Sequence, residues 1–113
     1  MTGTTEPQSP TLRTKAFIDG DFCEAWSGEQ FVSINPATGK ALAEIASCGS
    51  HDVDRAVSAA RRAFEDGRWS RRSPEQRKET LLRFAECLEE NAEEIARLDA
   101  IDAGKPITDC RMI

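Results

Sequence analysis

The sequence lacks the features that mark metal-binding, nucleic-acid-binding and membrane-spanning proteins. Its four cysteines stand far apart without a C-x-x-C pair, and it has a single histidine, so the ligand spacing of a metal site is missing. No basic run is longer than Arg71-Arg72, which argues against the cationic face that binds nucleic acid. No apolar stretch approaches the roughly 20 residues of a membrane span. We therefore expect neither nucleic acid nor a membrane as a partner.

The first sixteen residues contain no hydrophobic segment of the kind found in secretory signals. We therefore expect a cytoplasmic location, where disulfides are rare, and interpret the cysteines as free thiols that act as small hydrophobes. Residues 1–15 are rich in Thr, Ser, Pro and Gly, which predicts a flexible tail. The single imidazole, His51, is interpreted as a solvated surface side chain at the start of a helix.

The rest of the chain has the composition of one small soluble domain. It is 39% hydrophobic and 31% charged, with a net charge of −5, and these are ordinary values. Residues 16–22 are strand-like with an Asp-Gly turn signal. Two further strands, 31–34 and 41–46, flank a loop that contains Asn35-Pro36 and Gly39, which predicts a hairpin.

Two helices are predicted after the hairpin. The first is capped by Ser50 and ends at Gly67. The second covers residues 74–101, with Ser73 as its cap, and would be a rod of about 42 Å. Because its apolar stripe cannot be covered by so short a chain, we expect either self-association or packing on a larger body. The stripe consists of Leu81, Ala85, Leu88, Ala92, Ile95 and Leu98. Trp26 and Trp69 are interpreted as packing anchors.

Several short patterns occur in a characteristic order. They are Phe17-Ile18-Asp19-Gly20, Ser33-Ile34-Asn35-Pro36-Ala37-Thr38-Gly39, Asp52-Val53-Asp54-Arg55-Ala56-Val57, Ala59-Ala60-Arg61-Arg62-Ala63-Phe64 followed by Trp69, and Ile101-Asp102-Ala103-Gly104-Lys105-Pro106. Together they resemble the N-terminal region of the NAD(P)-dependent aldehyde dehydrogenase superfamily, over residues 16 to about 111. The fold expected from this resemblance is α/β: a β-hairpin and two α-helices that form the incomplete opening part, residues 16–113, of a Rossmann-like cofactor-binding domain.

The resemblance implies oxidation of a small aldehyde to a carboxylic acid with NAD or NADP, through a cysteine nucleophile and a glutamate base. In the family these residues and the glycine motif for the cofactor lie beyond this segment, and the sequence has no G-x-G-x-x-G. We therefore expect no catalytic and no cofactor-binding residue in this chain, and no activity from it alone. The full-length enzyme is expected to be a homo-oligomer. The region from Trp69 to Pro106 resembles the branch that acts on amino-aldehydes, including γ-glutamyl-γ-aminobutyraldehyde.

The resemblance also implies a monovalent-cation site. Family members hold such a cation with backbone carbonyls at the positions of Ser33 and Ile34 and the carboxylate at the position of Asp102. Hard cations prefer oxygen ligands, and a cation would offset the roughly 0.3–1 kcal/mol cost of an acid at the negative end of a helix. The residues alone favour a solvated Asp102 or one balanced by Lys105. The resemblance favours the cation site in the full-length enzyme and not in this segment by itself.

A second class of function stays open. The chain is alternatively a non-catalytic interaction module, or a split subunit that packs on a partner through its exposed apolar helix faces. Its apolar stripes are compatible with either interpretation, and the sequence does not choose between them.

Overall fold

The computed structural model describes residues 12–112. Most of the predicted tail, residues 1–11, lies outside the described residues. The described chain contains two antiparallel hairpins followed by helices, so the predicted α/β class is confirmed. In chain order the elements are β1 (Ala16–Ile18), β2 (Asp21–Cys23), β3 (Gln30–Ile34), β4 (Ala41–Ala46), α1 (Ser50–Glu65), α2 (Pro74–Glu90), α3 (Ala92–Ala103) and α4 (Ile107–Cys110).

Both hairpins form where turn residues were found in the sequence. β1 pairs with β2 across a turn in which Asp19 has a φ of 56° and Gly20 a φ of 88°. Positive φ at both central residues defines the tight turn that matches the twist of a hairpin, and Asp-Gly adopts it readily. β3 pairs with β4, and the pairing register shifts between Ser33 and Ile34. The sheets therefore form two separate ribbons, because β2 and β3 do not pair.

The predicted cap of α1 is wrong by one residue. Ser50 is the first residue of the helix, and Gly49 occupies the cap position. The Asp52 N–H donates to the Gly49 carbonyl at 3.1 Å, while the Gly49 N–H donates to Asp52 Oδ2 at 3.0 Å. This reciprocal pair supplies the partner that a serine side chain would otherwise provide.

The predicted helix over residues 74–101 is two helices. α2 starts at the predicted cap, where Ser73 Oγ accepts from the Gln76 N–H at 3.2 Å. The helix is interrupted at Asn91, whose side-chain amide donates to the Cys87 carbonyl at 2.8 Å. Because asparagine competes for a helical carbonyl in this way, α2 ends at Glu90 and α3 begins at Ala92. The short helix α4 was not predicted.

The interior is small. Its buried apolar residues are Ala25, Ala46, Ala59, Ala96 and Cys110, and no large side chain of the described residues is fully buried. The radius of gyration is 18.2 Å, against about 13 Å for a compact chain of this length. Trp26 is 70% exposed, so within the described chain this indole is not the packing anchor that was predicted. Trp69 is 39% exposed, and its role as a packing anchor stays a prediction. The open shape leaves the helix stripes without cover from the described chain.

Candidate functional site

Two of the three residues predicted to hold a cation, Ser33 and Asp102, meet where β3 approaches the end of α3. Ser33 lies in β3 and Asp102 in the last turn of α3. Ser33 Oγ donates to Asp102 Oδ1 at 3.0 Å, across 69 residues of sequence. The fold therefore brings a hydroxyl and a carboxylate together at this junction, and both are oxygen groups of the kind that hard cations prefer.

Ile34, the third predicted ligand, follows the irregular step in β3. The register of β3 against β4 shifts between Ser33 and Ile34. Such irregularities bend a strand and re-aim the groups beside them. The predicted ligands at these two positions are backbone carbonyls, so the register shift occurs at the place where the prediction puts the site. The role of Ser33, Ile34 and Asp102 as ligands stays a prediction.

A close approach beside the junction holds the hairpin loop against the helix end. Gly104 ends α3 with a φ of 72°. A Cβ atom at this position would lie 2.9 Å from Cγ of Pro36 in the β3–β4 loop. Glycine is therefore needed here both for the left-handed backbone and for the short distance between loop and helix.

The alternative in which Lys105 balances Asp102 is wrong. Lys105 Nζ pairs with Asp99 Oδ2 at 2.9 Å, and this hydrogen bond lowers the pKa of the Asp99 carboxyl. The lysine is thus directed away from the junction, and the hydrogen-bond partner of Asp102 is the Ser33 hydroxyl. No described lysine or arginine forms an ion pair with the Asp102 carboxylate.

Cys110 lies next to Asp99 and is 3% exposed. Burial, followed by the neighbouring Asp99 carboxylate, raises the pKa of the Cys110 thiol. A raised pKa keeps sulfur in the thiol form, which is the poor nucleophile. The buried-hydrophobe interpretation is therefore confirmed for Cys110, whereas it is wrong for Cys48 and Cys87, which are exposed.

A second polar cluster lies at the start of α1. Asp52 is 2% exposed, and its two carboxylate oxygens accept from the backbone N–H groups of Trp26 and Gly49, each at 3.0 Å. The Gly49 N–H is the largest cause that lowers the pKa of Asp52. His51 is exposed, as predicted, and stacks on Trp26 with ring centroids 4.1 Å apart.

The roles of Asp52 in capping α1 and in binding the Trp26 N–H were not predicted from the sequence. Its position three residues after Gly49 has the spacing of a reciprocal cap, and this was the available signal. The hydrogen bond from the Trp26 N–H to Asp52, across 26 residues, could not be predicted from any pattern in the sequence. Because both oxygens already accept hydrogen bonds, Asp52 joins the β2–β3 connection to α1.

These clusters are suited to holding structure and not to bond making. Within residues 12–112 no three His, Cys, Asp or Glu side chains converge in a way that could hold a metal ion. The one imidazole is stacked on an indole, and the Cys110 thiol beside Asp99 has a raised pKa, which keeps it in the less nucleophilic form. None of the described helices is long and apolar enough to cross a membrane.

Comparison with known proteins identifies the family to which the chain belongs. The sequence profile of the aldehyde dehydrogenase family matches residues 22–112. The chain belongs to the aldehyde dehydrogenase family. The matched part is the N-terminal region of these enzymes, and their catalytic residues lie outside it. The expectation drawn from the short patterns in the sequence is thereby confirmed.

Relatives of the aldehyde dehydrogenase family resemble the chain in sequence and in structure. Aminoacetaldehyde dehydrogenase of Pseudomonas aeruginosa is 54% identical over 100 residues, which are 88% of this chain and 20% of the relative. A crystallised variant of the indole-3-acetaldehyde dehydrogenase of P. syringae, in complex with NAD+, is 48% identical with a TM-score of 0.90. That comparison covers 94% of this chain and 21% of the other chain.

A third relative is the γ-glutamyl-γ-aminobutyraldehyde dehydrogenase of Burkholderia cenocepacia, which is 43% identical with a TM-score of 0.88 over 91% of this chain and 21% of that chain. The chain therefore spans about a fifth of the length of the aldehyde dehydrogenases that it matches.

Proposed function

We propose that this chain serves in aldehyde oxidation as the N-terminal part of an NAD(P)-dependent aldehyde dehydrogenase. The observation that supports this most is the family match over residues 22–112 together with the structural agreement over 94% of the chain. The reaction proposed for the complete enzyme converts an aldehyde to a carboxylic acid, and NAD(P) accepts the hydride. The contribution of residues 12–112 is structural support, because the family's catalytic residues lie outside the matched region.

The residues present do not fit a dinucleotide site. The connection from β4 to α1 is Ser47-Cys48-Gly49, which lacks the glycine spacing that lets a pyrophosphate approach a helix. At this helix start the Gly49 N–H already donates to the Asp52 carboxylate, and the negative charge of that carboxylate would repel a phosphate. We therefore assign NAD(P) binding to parts of the enzyme outside this chain.

The junction of β3 and α3 is the part of the proposed enzyme that would hold a monovalent cation. Ser33 and Asp102 are already in contact, and the register shift lies between Ser33 and Ile34. Asp102 lies in the last turn of α3, where the helix dipole disfavours a negative charge. A bound cation would supply positive charge at this position and join the hairpin to the helix end.

An amino-aldehyde is the substrate class that we propose for the complete enzyme. The relatives named for aminoacetaldehyde and γ-glutamyl-γ-aminobutyraldehyde are 54% and 43% identical to this chain. The enzyme named for indole-3-acetaldehyde is 48% identical to this chain, so sequence identity alone discriminates weakly between these substrate classes. We also propose a homo-oligomer in the cytoplasm for the complete enzyme, as the sequence analysis predicted.

A chimera tests the proposed function. Residues 16–112 of this chain would replace the matching N-terminal segment of the P. aeruginosa aminoacetaldehyde dehydrogenase. We expect NAD+-dependent oxidation of aminoacetaldehyde with a kcat within about tenfold of the parent enzyme, a change of about 1.4 kcal/mol in the activation barrier. A chimera with parental circular dichroism and oligomeric state but without NADH production would contradict the proposal.

The same chimera tests the cation site without relying on activity. The melting temperature would be compared in potassium chloride and in choline chloride, since a ligand that binds the folded state raises it. We expect Asp102→Ala to abolish the difference between the two salts. Asp109→Ala, an exposed acid in α4, is the matched control and should keep it. Equal melting temperatures of the unmodified chimera in both salts would argue against the site.

The interaction-module alternative is favoured by one observation, the exposure of sixteen large apolar side chains among the described residues. A module of this kind would bind a partner through these faces without being part of an active enzyme. An active chimera supports the enzyme interpretation, whereas a folded but inactive chimera supports the module.

A further inference from the structure

The side chain of Ser33 takes a part at the β3–α3 junction that differs from the ligand role predicted for its backbone. The ligands predicted at positions 33 and 34 are carbonyl oxygens, whereas the Ser33 hydroxyl donates to Asp102 Oδ1 at 3.0 Å. Among residues 12–112, this is the only hydrogen bond that the Asp102 carboxylate accepts. Its second oxygen, Oδ2, therefore has no hydrogen-bond donor within the described chain.

The strand and the loop that follows it hold the Ser33 hydroxyl in place. Ser33 is half-buried, and its backbone lies opposite Ala43 of β4. The loop is closed by the Asn35 N–H, which donates to the Lys40 carbonyl at 2.9 Å. The Asn35 side chain also accepts from the Ala37 N–H at 2.9 Å. A group on a well-supported strand of this kind positions its partner more precisely than a group on a free loop.

Asp102 has no comparable support from its own helix. It lies in the last turn of α3, where the helix dipole disfavours its charge, and Lys105 is paired with Asp99 instead. The terminal torsion of an aspartate is broad and two-fold, so a carboxylate without a partner samples several orientations. The hydrogen bond to Oδ1 selects one of them and leaves Oδ2 able to accept a further ligand.

We propose that Ser33 is a positioning residue for the cation site, whose hydroxyl orients the Asp102 carboxylate toward a monovalent cation. The inference rests on the proposed function, because it needs the cation site of the complete enzyme. Removal of a group that hydrogen-bonds to a metal ligand typically weakens metal binding by about 10–100-fold. The TM-score of 0.90 with the NAD+ complex of the P. syringae enzyme over 94% of the chain supports the same approach of β3 to α3 in a complete enzyme.

Potassium binding to the chimera tests this role. The melting temperature would be measured against the concentration of potassium chloride, with choline chloride keeping the total salt constant, and this dependence gives the Kd for potassium. Ser33→Val and Ser33→Thr give side chains of similar shape that differ in the hydroxyl. We expect Ser33→Val to raise the Kd about tenfold and Ser33→Thr to retain the unmodified Kd, since threonine donates the same kind of hydrogen bond. Ser33→Ala, which adds no volume, should raise the Kd as Ser33→Val does.

A bond that only ties the hairpin to the helix would give a different result. Ser33→Val would then lower the melting temperature equally at every potassium concentration and leave the Kd unchanged, and this outcome would overturn the proposal. Ser27→Ala is the matched control, because the Ser27 hydroxyl also forms one hydrogen bond, from the Glu29 N–H at 3.2 Å, in the β2–β3 connection. It should leave the Kd for potassium unchanged.

A double-mutant cycle in choline chloride shows whether the hydroxyl acts through Asp102. The costs of Ser33→Val and Asp102→Ala should be non-additive without potassium, because either change removes the same hydrogen bond. Additive costs would show that the two side chains do not interact in the complete enzyme and would refute the positioning role.

Failure of this inference is distinguishable from failure of the proposed function. An unmodified chimera that is folded but produces no NADH contradicts the proposed function. An unmodified chimera whose melting temperature does not depend on potassium lacks the cation site, and the inference falls with the site. A chimera that binds potassium with the same Kd before and after Ser33→Val has the site but not this role of Ser33.

Discussion

Replacement of Gly104 by alanine probes the contact that holds the β3–β4 loop against the end of α3. Gly104 has a φ of 72° and a ψ of 19°. An alanine Cβ there would lie 2.9 Å from Pro36 Cγ, well inside the 3.5–4.0 Å at which carbon atoms attract each other. The substitution therefore combines a strained backbone with a steric overlap at the proposed cation junction.

Two contributions set the size of the effect. A non-glycine residue in the left-handed region costs about 1–2 kcal/mol, and overpacking against a fixed neighbour adds about 1–3 kcal/mol. We expect Gly104→Ala to lower the free energy of unfolding by about 2–5 kcal/mol. That loss is a large fraction of the stability of a small domain, which is about 5–15 kcal/mol.

Gly28 provides a matched control, because it has nearly the same φ, 73°, but no atom within 4 Å of the position of its Cβ. Gly28→Ala should therefore cost only the backbone contribution of about 1–2 kcal/mol. In a Pro36→Ala background the cost of Gly104→Ala should fall to the same value, since the proline ring that it would touch is absent.

Urea unfolding followed by far-ultraviolet circular dichroism, at one fixed protein concentration, measures these differences. Equal costs for Gly104→Ala and Gly28→Ala would refute the steric part of the reasoning. So would an unchanged cost of Gly104→Ala in the Pro36→Ala background, because the double-mutant cycle would then show no coupling between loop and helix end.

Two further predictions concern the helix starts. The hydrogen bond from Gly49 lowers the pKa of Asp52 from 3.8, so its contribution to stability is full above that value and is lost as the pH falls through the lower folded pKa. The urea midpoint of the unmodified chain should therefore fall more steeply below about pH 4 than that of Asp52→Asn; parallel curves would contradict this role. At α2, Ser73→Ala should cost about 0.5–2 kcal/mol in the same assay, because it removes the bond to the Gln76 N–H. Ser50→Ala should be nearly neutral, since Gly49 is the cap of α1, and similar losses at both serines would show that this cap assignment is wrong.

Features that depend on neighbouring residues could be predicted from the sequence. Asp19-Gly20 predicted a tight turn because aspartate and glycine both tolerate positive φ, and the structure has positive φ at both. Ser73 and Gln76 have the spacing of a reciprocal cap, and their hydrogen bonds are present. The interruption at Asn91 was missed, because apolar periodicity continues through it while its amide bonds the Cys87 carbonyl.

Contacts between distant residues were decided by the tertiary structure. Ser33 and Asp102 were predicted as a pair only through the family resemblance, and the path of the chain places them 3.0 Å apart. The same path pairs Lys105 with Asp99 and not with Asp102. Local patterns therefore determined the turns, the cap of α2 and the family of this protein, because these depend on the conformational preferences of adjacent residues. The partners of its buried and charged side chains depended on how strands and helices approach one another, and that information lies in no single stretch of the sequence.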